Sequence, residues 1–312
     1  MLKSSQDIID AAKKLSAGGK RPRIAVAVAQ DADVLGAIRS AYDDGICDGS
    51  LFGDEAKIKE AADKAGVSLD NLDVIHVPDA NEAVLGAVKL AAEGNADAVM
   101  KGFVSTSALL KGVLDKRFGL RQGPTLSHVA VLTIPGRDKL LLITDGGMVV
   151  KPDEQQRIDI VKNSLIVARA LGIKPIKVAL SAATDRVVAS MPQTSESAKI
   201  AEALRAENIP DLEIAGPMAF DTAISPVVAK KIGANHPVAG DADVYVVGSI
   251  EECNITTKSM IIFHEAIFAG VIIGAKIPVS LVSRTDPVIG KKTSIALACL
   301  TADYYRRTQG EG

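Results

Sequence analysis

The chain has 312 residues, 47% of them hydrophobic but only 3% aromatic, with no Trp. That length exceeds one small domain and fits two, and a core restricted to Ala, Val, Ile and Leu suits a parallel sheet covered by helices on both faces. Lys plus Arg (36) nearly balances Asp plus Glu (38), which argues against a nucleic-acid or acidic-membrane surface and leaves any anionic ligand to a local cluster of cations.

The opening segment, residues 1–15, reads as an amphipathic helix and not as a signal peptide, because it has no continuous apolar stretch. RIAVAVA (23–29) reads as a buried strand with a helix beginning near Asp33, and SLFGD (50–54), DVIHVPD (73–79) and DAVMKGF (97–103) continue that rhythm. VAVLTIP (129–135) and KLLLITD (139–145) lie so close together that they predict an antiparallel pair. A helix is expected to start at Pro152-Asp153-Glu154, with Pro and acids in its first turn. KVALSA (177–182), LEIAGPM (212–218), DVYVVGS (243–249) and IPVSLVS (277–283) are further candidate strands. The apolar run 260–282 is interrupted by His264, Glu265 and Lys276, so it reads as a helix followed by a strand and not as a membrane span. Strands alternating with helices imply βαβ units and a mainly parallel sheet. The expected division is a first domain of residues 1–145 plus 277–312 and a second of 146–276.

Several chemistries have no signature. A phosphate-binding G-x-x-x-x-G-K-[ST] and a dinucleotide G-x-G-x-x-G are both missing, and the four His residues (76, 128, 236, 264) are scattered. No metal is expected. Cys47, Cys253 and Cys299 are odd in number and far apart, which fits a reducing, cytoplasmic compartment better than a disulfide framework.

Ligands of open α/β sheets bind beyond the carboxyl ends of strands, and three polar clusters sit at such places. Lys101, Ser105 and Thr106 follow the strand DAVM and precede a helix. Amides, hydroxyls and an ammonium there suit an anion, while the plainer reading is a helix N-cap. Ser283, Arg284 and Asp286 follow IPVSLV. An Arg at a strand end forks onto phosphate, and a nearby carboxylate can take a thiol proton. The plainer reading is an exposed ion pair worth about 0–1 kcal/mol. Asn254 and Lys258 follow DVYVVGSI and lie four residues apart, on one face of a helix.

Longer segments are more specific. GICDGSLFGDE (45–55), ADAVMKGFVSTSALLKGVL (96–114), GLRQGPTLSHVAV (119–131), LLITDGGMVVKPD (141–153), AGPMAFDTAIS (215–225), PVAGDADVYVVGSIEECNITTKSM (237–260) and AKIPVSLVSRTD (275–286) occur in this order. Together they resemble the phosphate acetyl/butyryltransferase family over most of the chain, and its shorter, butyryl branch in particular. The resemblance implies two doubly wound α/β domains, isocitrate/isopropylmalate dehydrogenase-like, with the site in an interdomain cleft. It further implies a homodimer that binds no permanent cofactor and acts on acyl-CoA and inorganic phosphate, with coenzyme A as a substrate. By the family pattern Ser283 and Arg284 line the phosphate and the reacting carbonyl; Asp286 is the candidate base from its own chemistry, since the acetyl branch has its catalytic Asp at the position of Gly290 here. Lys101, Ser105, Thr106, Lys111, Asp145, Asn254 and Lys258 are the expected substrate-binding residues.

Three departures from the pattern stand out. Lys111 replaces an Arg, Val149 replaces an Asn, and Glu252-Cys253 replaces an Ala-Gly, where Cys adopts positive φ less readily than Gly. They keep open a diverged or non-catalytic CoA- or acyl-phosphate-binding protein; the other alternative is a fold-related hydroxy-acid dehydrogenase, against which the missing nicotinamide motif and metal-binding Asp cluster argue.

Overall fold

The computed structural model describes residues 2–282 and 286–309. In chain order the strands are β1 (Arg23–Ala27), β2 (Asp48–Gly53), β3 (Asp73–His76), β4 (Ala98–Lys101), β5 (Ser127–Thr133), β6 (Leu141–Thr144), β7 (Ile176–Ser181), β8 (Leu212–Met218), β9 (Val244–Val246), β10 (Ile267–Ile273) and β11 (Val279–Ser280). Helices connect nearly all of them, as the alternating pattern predicts. The chain divides into two compact units, Ser5–Pro124 with Phe268 onward, and Thr125–Ile267 joined by the first few residues. These borders fall earlier than 145/146 and 276/277, the first because the hairpin β5–β6 belongs to the second unit and the second because β10 belongs almost wholly to the first.

In the first unit the strand order is β3-β2-β1-β4-β11-β10. β1, β2, β3 and β4 run parallel, β11 runs parallel to β4, and β10 is antiparallel to β11. Ile24, Ala25, Val26, Val99 and Met100 are fully buried, the pattern of a parallel sheet covered on both faces. The helices Ala32–Asp43, Glu55–Ala65 and Ala80–Ala92 are each started by an Asp side chain that accepts from two backbone amides of the first turn: Asp31, Asp54 and Asp79. The long helix Val288–Gln309 buries Ile295–Leu300 and ties the end of the chain to this unit.

In the second unit the order is β5-β6-β9-β7-β8. β6, β9, β7 and β8 are parallel, and β5 is antiparallel to β6. The helix Glu154–Ala170 starts where the sequence places it, with Asp153 and Gln156 forming a reciprocal capping box. The apolar run after Met260 resolves into the end of helix Ile250–His264 and strand β10. No helix among the described residues is long and apolar enough to cross a membrane.

Candidate active site

Lys101, Ser105, Thr106 and Asp145 lie at or just past the carboxyl ends of parallel strands, and the two units treat theirs differently.

In the first unit, β4 ends at Lys101 and the chain turns at Gly102, where a side chain would collide with the carbonyls of Ala27 and Val28 at 2.6 and 2.1 Å. The amides of Gly102 and Phe103 donate to those same carbonyls, so the turn is pressed against the end of β1. Lys101 is buried, and its ammonium donates to the carbonyls of Gly102 (3.4 Å) and Val104 (3.1 Å). It therefore shapes the turn from beneath and places a positive charge under it. Ser105 is the N-cap of helix Thr106–Val113, its Oγ accepting from the Ala108 amide at 3.1 Å. The cap reading is correct, and it leaves the Ser105 hydroxyl proton available to donate outward, because a hydroxyl accepts and donates at once. Ser105 is exposed and Thr106 is half-buried. Lys111 is exposed in the last turn of this helix, about 7.5 Å along the axis from Thr106.

β11 is the hydrogen-bonded neighbour of β4, with Val279 opposite Val99 and Ser280 opposite Met100. Ser283 and Arg284 lie outside the described residues. Asp286 is half-buried, and its backbone carbonyl accepts from the ammonium of Lys291. Lys291 is 1% exposed and lies 3.5 Å from the Asp33 carboxylate. This buried lysine, which anchors the segment after Ser283-Arg284, carried no signal in the sequence, because nothing in its spacing distinguishes it from the adjacent Lys292.

In the second unit Asp145 follows β6 and is 2% exposed. One carboxylate oxygen accepts from the amides of His128 (3.0 Å), Gly147 (2.9 Å) and Met148 (3.1 Å), and the other from Val149 (2.7 Å) and Met148 (3.2 Å). Burial raises its pKa, and the four amides oppose that shift. Its oxygens are committed to the turn 146–149, so its visible role is to hold that turn. Val149, the departure from the family pattern, contributes its backbone amide here, a contact any residue but Pro could make.

Cys253 packs against this turn. A side chain at Gly146 would meet the Cys253 Sγ at 2.7 Å and the His128 Nδ1 at 3.2 Å, so Gly146 leaves the space that the thiol and the imidazole fill. Burial, with help from the nearby Asp145 and Glu252 charges, pushes the thiol up to about 12, and burial pulls the His128 imidazole down to about 4. The concern over positive φ at Cys253 is removed, since the residue lies inside helix Ile250–His264 and is not among the positive-φ residues. The neighbouring departure, Glu252, accepts from the Gly248 amide (2.9 Å), the Ser181 hydroxyl (3.1 Å) and the Gln193 amide (3.3 Å). It ties the helix start to the ends of β7 and β9. Asn254 donates to the Ile250 carbonyl at 3.0 Å, and Lys258 is exposed one turn on. Among the described residues no group of His, Cys, Asp and Glu is arranged to hold a metal.

Comparison with known proteins gives this geometry its context. The family described as phosphate acetyl/butaryl transferase matches residues 78–299. The phosphate butyryltransferase of Clostridium acetobutylicum is 38% identical over 302 residues, covering 97% of this chain and 99% of that protein. The phosphate acetyltransferase of Thermotoga maritima is 36% identical over 286 residues, covering 92% and 97%. The crystal structure of a branched-chain phosphotransacylase from Enterococcus faecalis superimposes with a TM-score of 0.81 at 28% identity, covering 90% of this chain and 99% of that one. The fold is thus the isocitrate/isopropylmalate dehydrogenase-like one expected from the sequence. With matches of this length and identity, the chain belongs to the phosphate acetyl/butaryl transferase family and is a phosphate acyltransferase.

Proposed function

We propose that this enzyme transfers butyryl or a similar short acyl group reversibly between coenzyme A and phosphate, through a ternary complex and with no permanently bound cofactor. The observation that carries the reading is the adjacency of β4 and β11. β4 leads into the Lys101–Thr106 turn, and β11, which ends at Ser280, pairs with it in the same sheet.

In the direction of acyl phosphate synthesis, a phosphate oxygen attacks the thioester carbonyl. The C–O bond forms, the C–S bond breaks, and CoA leaves as the thiolate and takes up a proton. In the reverse direction the thiol must lose that proton, and Asp286 is the proposed base, held in position through the Lys291 contact to its carbonyl. Arg284 neutralises phosphate charge, and Ser283 donates to the oxyanion that develops on the carbonyl. The hydroxyl protons of Ser105 and Thr106 serve phosphate oxygens, with the charge of Lys101 beneath them. Lys111 offers a single ammonium where a fork would bind in two places. Asn254 and Lys258 are proposed to bind substrate from the helix start that Glu252 ties down, and Asp145 to act through the turn it holds. Phe103, 52% exposed in the Lys101 turn, offers apolar surface for a short acyl chain. Holding both substrates in line supplies at best about 7–11 kcal/mol of the barrier.

A cytoplasmic homodimer is part of this reading. Ile255, Ile262 and Phe263 are 68%, 73% and 77% exposed along one side of helix Ile250–His264, an apolar surface that a second copy would cover. Light scattering of Ile262→Asp should then show a monomer.

The decisive experiment measures phosphate-dependent loss of the thioester from acetyl-, propionyl-, butyryl- and isobutyryl-CoA, with Arg284→Ala alongside. Turnover should be fastest with a four-carbon acyl group, and the Arg change should lower kcat by about 10²–10³-fold. CoA binding without turnover would return the chain to the non-catalytic reading.

A further inference from the structure

A cavity is built into the second unit, on the far side of its sheet from β5. It measures about 450 Å³ and lies beside the edge strand β8 and the segment that follows β7, within the size range of small-molecule sites. Arg186 and Arg205 line it from opposite segments, one from the loop after β7 and the other from helix Pro192–Ala206. Neither guanidinium is ion-paired among the described residues. Arg205 donates its Nε–H to the Ala201 carbonyl, which leaves its terminal nitrogens for other partners. Several other cations of this unit are paired: Lys139 and Lys177 with Asp241, Lys162 with Glu207, and Lys174 with Asp211.

The single carboxylate of the lining, Asp185, is already committed. One oxygen accepts from the Ala219 amide at 2.8 Å and the other from the buried Thr222 hydroxyl at 3.0 Å. His236 accepts from the Val238 amide through Nδ1, so its Nε2 remains for a ligand. Two guanidiniums line the cavity against one carboxylate, and the Glu213 carboxylate lies near enough to His236 to act on it. Its floor is apolar, with Pro217, Met218 and Ile232, and Ile232 is 53% exposed although it is large and hydrophobic. Paired guanidiniums suit the two charges of a phosphate monoester and also stack on planar rings, and the apolar floor suits the ring system itself.

We propose that this cavity binds a nucleotide, its phosphate held by Arg186 and Arg205 and its base lying on Pro217 and Ile232. The proposal does not depend on the transferase reading. Two sources supply such a group: the nucleotide end of coenzyme A, and a free mononucleotide acting as an effector.

The test is calorimetric titration of the full chain with AMP, adenosine 3′,5′-bisphosphate and inorganic phosphate, repeated on Arg186→Ala/Arg205→Ala, Ile232→Asp and Arg284→Ala. A nucleotide should bind the wild type and Arg284→Ala equally, and bind the double variant at least about tenfold more weakly. Ile232→Asp, a change at an exposed position that adds a carboxylate to the floor, should weaken it as well. Binding of the bisphosphate alone assigns the site to the nucleotide end of coenzyme A, whereas binding of AMP alone or of both assigns a free nucleotide. Four results overturn the proposal: no nucleotide bound, inorganic phosphate bound without either nucleotide, affinity unchanged in the double variant, or binding lost in Arg284→Ala.

Discussion

The Lys101–Thr106 turn and the Asp145–Val149 turn occupy equivalent places in their units, each just past the carboxyl end of a parallel strand and each rich in polar groups. In the first, the buried group is a lysine, and the exposed Ser105 keeps a proton to donate after capping its helix. In the second, the buried group is a carboxylate, and four amides fill both its oxygens. Strand-end location alone therefore does not distinguish a residue with a donor left over from one whose groups are all spent on a loop. The count of remaining donors and acceptors does.

That contrast breaks most readily at Asp145. Asp145→Ala leaves four amides without their acceptor, at about 1–3 kcal/mol for each that stays buried, so urea denaturation should show a loss of at least about 3 kcal/mol. Ser105→Ala should cost only about 1 kcal/mol as a lost cap while raising the KM for phosphate. Equal stability losses at the two positions would remove the distinction.

The packing of the second turn gives a sharper test of intermediate size. Gly146→Ala drives a methyl group toward the Cys253 thiol and should destabilise the protein by about 1–3 kcal/mol. Adding Cys253→Ala should recover part of that loss, a coupling that a double-mutant cycle measures. Additive effects would mean that the thiol is not what the glycine accommodates.

The smallest effects concern reactivity and acyl preference. Because the thiolate is the nucleophile and the Cys253 thiol is pushed up to about 12, alkylation of the native protein at Cys253 should be negligible at pH 8 and should rise only as pH approaches 12. Cys47 and Cys299 are buried too, so all three thiols should react rapidly only after denaturation. Fast labelling of Cys253 at pH 8 would contradict its placement. Phe103→Ala should lower kcat/KM for butyryl-CoA more than for acetyl-CoA, by about tenfold, within the range that one or two methylenes provide in an apolar pocket.

Much of the architecture was legible in the chain itself. The β-branched runs, the Ser105-Thr106 pair ahead of a helix, and the closeness of the runs 129–135 and 139–145 predict strands, a cap and an antiparallel pair that are observed. The long ordered segments from 45 to 286 pointed to the family. Lys291 and the Cys253–Gly146 contact were not legible, because each depends on residues more than a hundred positions apart that only a folded sheet brings together. The φ concern at Cys253 failed for a related reason: local preference was considered without knowing that the residue lies within a helix, whose dihedrals suit it.

The sequence by itself therefore determined the class of the fold, the order of its elements and the family to which it belongs, since periodicity, caps and long ordered segments are properties of neighbouring residues. Only the tertiary structure decided which polar groups remain open to a ligand. A charged group reads the same in a sequence whether its hydrogen bonds are filled from within, as at Asp145, or, as at Arg186 and Arg205, it forms no ion pair among the described residues.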